Sequence, residues 1–103
     1  MSDDQALTPA APRLSPSQRT QLARLMLECR SMKEAGSRAA IIDGLPAVAQ
    51  TIARDSAPLT ILIRLVNECL AQERGLADLL ETLRAAEGES IPMRNVELFL
   101  RSA

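Results

Sequence analysis

Apolar residues in this chain recur at three- and four-residue spacing from Leu22 to Leu100, and no stretch alternates with the period of two that a half-buried strand requires. The pattern predicts six short helices. Leu14-Ser15-Pro16-Ser17-Gln18 reads as a helix start, with Ser15 as N-cap, Pro16 at the first helical position and Gln18 completing a capping box. The first helix then places Leu22, Leu25, Met26 and Cys29 on one face and runs to about Arg30, with Met32 folding back from the following turn. A second helix starts at Gly36-Ser37 with Ser37 as cap, turns Ala40 and Ile41 inward, and stops at Gly44 in the left-handed conformation. Pro46 opens a third, with Val48, Ala49 and Ile52 as its stripe.

Pro58 opens the fourth and longest helix. Leu59, Leu62, Ile63, Val66, Cys69 and Leu70 share a face that Ile61 and Leu65 widen, as expected of a central helix with several neighbours. Gly75 breaks the chain before a fifth helix with Leu76, Leu79, Leu80 and Leu83 inward and Asp78, Glu81 and Arg84 outward. Gly88 ends it, and Ser90 caps a sixth near Pro92, with Met93, Val96, Phe99 and Leu100 inward. The expected fold is therefore all-α, a compact six-helix antiparallel bundle over residues 15–103. Residues 1–14 carry Pro9, Pro12 and two aspartates without periodicity, and read as a disordered tail.

Composition narrows the core. One aromatic, Phe99, and no Trp, Tyr or His leave Leu, Ile, Val, Ala and Met to fill it, which suits helices better than a sheet. Twelve basic residues against thirteen acidic ones, with no basic run, make nucleic acid and anionic membranes poor partners. No apolar run reaches the ~18 residues needed to span a bilayer, and the N-terminus lacks a signal-peptide h-region, so a cytoplasmic protein is expected. Cys29 and Cys69 fall on apolar stripes and read as reduced and buried.

Candidate chemistry is sparse. Without histidine, Ser-His and Cys-His catalysis and most transition-metal sites are excluded. The four glycines are isolated and form no phosphate loop. Asp78 with Glu81, and Glu87 with Glu89, read as solvated helix and helix-end charge. No enzyme, no cofactor and no metal are expected. A helix-turn-helix regulator, DNA-binding or antitoxin-like, is the alternative, but its best recognition helix, Gln50 to Arg54, offers one arginine followed by Asp55.

The order of several residue pairs is similar to that of bacterial effector-associated domains, small helical modules of the death-like superfamily. The matching residues are Leu22 and Leu25, Met32 with Arg38, Leu45-Pro46, Cys69-Leu70, Gly75-Leu76, Leu79-Leu80, Glu87-Gly88 and Met93-Arg94, and they cover about residues 18 to 100. The resemblance implies a death-domain-like six-helix bundle. It also implies a non-catalytic adaptor that joins a sensor or switch to an effector in a conflict system through like-with-like association. Its partner would be a related domain on an effector or switch protein, with self-association as a second possibility. The mixed-sign helix surfaces make Arg38, Arg64, Glu68, Asp78, Glu81, Arg84 and Glu87 the candidate interface. Arg38 carries a structural reading beside this one, an ion pair with Glu34, Asp43 or another acidic residue of the bundle.

Overall fold

In the computed structural model, which describes residues 14–103, the first helix α1 (Pro16–Leu27) begins as its sequence requires. The Gln18 amide donates to Ser15 Oγ at 3.1 Å, and the Ser15 amide donates to Gln18 Oε1 at 2.8 Å, a reciprocal capping box. Leu14 is 4% exposed and its carbonyl accepts from Arg19 Nε at 3.0 Å, so the chain is already packed one residue before the cap. The remainder of the expected tail lies outside the described residues.

The described residues form seven helices, one more than the pattern predicts. The extra element arises where α1 ends at Leu27 instead of Arg30. Cys29 adopts an extended backbone (φ −68°, ψ 134°), and Arg30–Lys33 then forms a separate single turn, α2. Both Cys29 and Met32 are fully buried by this bend, so Met32 does fold back onto the core. Glu34 is extended in turn, and α3 (Ala35–Asp43) starts two residues before the expected Ser37 cap. Ala40 is exposed, and Ile41 and Ile42 face the core in its place.

Gly44 stops α3 without the left-handed turn expected of it: its φ is −75° and ψ 0°. Termination comes from Leu45-Pro46, since a residue before proline is pushed out of the α region, and Leu45 sits at φ −121°, ψ 75°. The single-turn α4 (Pro46–Ala49) follows, and Ile52 reaches the core from the loop beyond it.

The last three helices follow the pattern closely: α5 (Pro58–Leu70), α6 (Gly75–Glu87) and α7 (Ile91–Ser102). Ser90 caps α7 by accepting the Met93 amide at 3.2 Å. Gly88 ends α6 at φ +71°, a conformation that side-chain-bearing residues rarely adopt. Gly75 has a different role from the expected helix breaker. A Cβ built there would lie 2.7 Å from the Cys69 carbonyl carbon, so only glycine lets α6 start this close to the end of α5.

Packing centres on α1 and α5, which make the most extensive helix pair; α7 lies along α1, and α6 contacts α5, α2 and α3. Leu22 and Met26 of α1 meet Leu62 and Leu65 of α5, Leu79 and Leu83 of α6, and Met93 and Val96 of α7 in one continuous fully buried core. On α5 the buried set is Ile61, Leu62, Leu65, Val66 and Cys69, with Leu59, Ile63 and Leu70 half-buried at its margins. Among the described residues no helix is long and apolar enough to cross a membrane.

Candidate protein-interaction surface

Seven charged residues were singled out by sequence, and the fold divides them. Arg38 is drawn inside, only 8% exposed. Its guanidinium NH1 donates to the carbonyls of Met32 at 2.8 Å and Lys33 at 3.2 Å, at the C-terminal end of α2. It therefore pairs with neither Glu34 nor Asp43, and its side chain is buried within the bundle. Free carbonyls at a helix end attract a positive donor, and a guanidinium satisfies two at once.

Glu87 serves the other end of the same helix. Cys29, at the N-cap position of α2, makes no side-chain capping bond. Glu87 Oε1 instead accepts from the Ser31 amide at 3.2 Å and from Ser31 Oγ at 2.8 Å. Partial burial pushes this carboxyl up. Hydrogen bonds from the Ser90 and Ser31 side chains and from the Ser31 and Arg30 backbone outweigh it and hold the group below the usual glutamate range. The four residues of α2 thus lie between a carboxylate at the positive end of the helix and a guanidinium at the negative end.

The other five candidates sit on the surface. Arg64 is exposed on α5 and Glu68 half-buried, one turn along the same helix. Asp78, exposed on α6, is 3.8 Å from Arg74 Nε. Glu81 is exposed with no ion-pair partner among the described residues, and Arg84 pairs with Glu97 of α7. Glu81, Arg84 and Glu87, neighbours along α6, therefore do not form one patch, because Arg84 turns to α7 and Glu87 turns to α2.

Two surface grooves carry charged residues on their rims. The first, about 440 Å³, lies between the α3–α4 junction, the α5–α6 turn and the first turns of α6. Its rim bears Glu73, Asp78 and Glu81 against a single Arg74. The second, about 530 Å³, lies between the end of α6 and the outer side of α7, with Arg84, Arg94 and Arg101 against Glu89 and Glu97. Ile91 lines it and is 76% exposed, and Leu98 on the same face of α7 is 48% exposed. Sequence reasoning passed over both apolar residues. The signal was available: Ile91 and Leu98 are seven positions apart, so they share a helical face, and that face is opposite Met93.

Of the two thiols, Cys69 is among the residues lining the first groove. Cys29 and Cys69 are buried and unbonded, each pushed up to about 11. Burial is the main cause for both, reinforced by Glu87 and Glu28 for Cys29 and by Asp78 and Glu68 for Cys69.

Fold and surface together define a small all-α bundle domain that carries two grooves of opposite net charge. The profile of the effector-associated domain 2 family matches residues 23–101, from the middle of α1 nearly to the end of α7. The chain belongs to that family. Neither the curated proteins nor the solved structures provide a match to it.

Proposed function

We propose that this chain is a non-catalytic adaptor domain that couples a sensor or switch to an effector in a bacterial conflict system by binding a related domain on the partner chain. The observation that carries the reading is the family match over residues 23–101. Supporting it, Glu73, Glu81, Arg94 and Arg101, which make no ion pair among the described residues, lie on groove rims. There they are free to set register and partner choice, which is what complementary charge does best at interfaces. The same reading takes the bundle as a death-like fold in which the bend at Cys29 divides one helix into α1 and α2.

Capture of a second effector-associated domain, fused to an effector and encoded in the same genome, tests the proposal. Binding is expected to weaken from low to physiological salt, because exposed charges are screened within ~8 Å at 0.15 M. Arg94→Glu is the preferred reversal, since Arg94 is exposed and has no ion-pair partner among the described residues, whereas Arg84 is held by Glu97. It should slow association and leave the helical content intact. Failure of every such domain to bind at any salt concentration sinks the adaptor reading.

A further inference from the structure

We infer that the two grooves are the two halves of one contact, so that copies of this chain associate head to tail, the arginine-rimmed groove of one receiving the acidic rim of the next. The inference rests on the adaptor reading and adds the surfaces and their arrangement.

The argument begins with sign. In the α6–α7 groove Arg84 and Glu97 neutralise one another, which leaves Arg94 and Arg101 facing Glu89. In the groove at the start of α6, Arg74 and Asp78 are within 3.8 Å of each other, which leaves Glu73 and Glu81 with no cation. Each groove therefore holds an excess of one sign and matches the other groove instead of itself. A two-fold dimer built on either groove would set like charge against like.

Apolar surface points the same way. Ile91, the most exposed large apolar side chain described, stands in the basic groove, and the acidic groove is walled by the exposed Pro46 and Ala47. An isolated exposed isoleucine is unremarkable, but one set among unpaired arginines has the make-up of an interface anchor with a charged rim.

Position completes the case. The two grooves share no lining residue: the acidic one takes Gly75, Asp78, Glu81 and Thr82 of α6, and the basic one begins at Arg84 and continues along α7 to Arg101. One molecule can then use both at once. A contact between unlike surfaces leaves a free groove at each end, so it continues into a chain or closes into a ring.

Sedimentation of the purified chain and of two double variants tests this. The wild-type mass should rise with concentration, without a plateau at the dimer, up to about 1 mM, where weak protein contacts still populate. Ile91→Ala with Arg94→Ala, and separately Glu73→Ala with Glu81→Ala, should each weaken self-association by ~tenfold or more. An equimolar mixture of the two should form a one-to-one dimer and nothing larger, because each variant retains the groove the other lacks. A wild-type chain that stays monomeric throughout overturns the inference, as does a mixture that stays monomeric or a double variant that dimerises as well as wild type. The adaptor reading is judged separately, by capture of an effector-linked domain, and survives a monomeric result.

Discussion

Arg38 brings a permanent charge into a site that is 92% covered, and its hydrogen bonds there are to carbonyl oxygens, not to a carboxylate. Truncation would strand the Met32 carbonyl away from water, so Arg38→Ala is expected to cost about 1.5–3 kcal/mol, the range for hydrogen bonds to charged groups. Urea denaturation would show this as a lowered midpoint, and a midpoint equal to wild type would remove Arg38 from the architecture. Glu87 gives the complementary pH signature. Its carboxyl is held low in the folded state, so its stabilising contribution is full above the unfolded glutamate range and is lost as pH falls through the folded value. Glu87→Gln should narrow the difference in Tm between pH 7 and pH 4. An undiminished difference would place the acid sensitivity elsewhere.

At the scale of the helices, Gly75 inverts a common expectation. Glycine to alanine within a helix usually adds stability of about 1 kcal/mol. Here the new Cβ would meet the Cys69 backbone, so Gly75→Ala should destabilise by roughly 2 kcal/mol or more, with a matching fall in thermal midpoint. Elements with local signals were legible in sequence: the Ser15 and Ser90 caps, the prolines opening α1, α4 and α5, and the leucine stripe of α6 all stand where the pattern puts them. The break at Cys29 was not, because no glycine or proline marks it. What fixes α2 is Glu87 and Arg38, one of them 56 positions away, and no local window contains that information. The surface divides in the same manner. Helical phase was enough to expose Arg64, Asp78, Glu81 and Arg84, but the grooves exist only once α4 and α7 stand beside α6.

For the molecule as a whole, the clamp on α2 has a consequence in time. Synthesis delivers the chain from its N-terminus, so Ser31 is made 56 residues before the carboxylate that holds it. At about 5–20 residues per second, α2 waits several seconds with its first amides unclaimed. A four-residue helix has no stability of its own over such an interval. The bend after α1 should therefore be among the last features to settle, after α1 and α5 have packed. In the mature domain the same dependence should appear as uneven amide hydrogen exchange. The Ser31 and Met32 amides should exchange faster than those in the middle of α5, and Glu87→Gln should speed the first pair while leaving α5 untouched. Uniform protection across both helices would mean that α2 opens only with the whole bundle. Otherwise the end of α6 acts as a latch, and the route from α1 into α3 is fixed only when nearly the whole chain has been made.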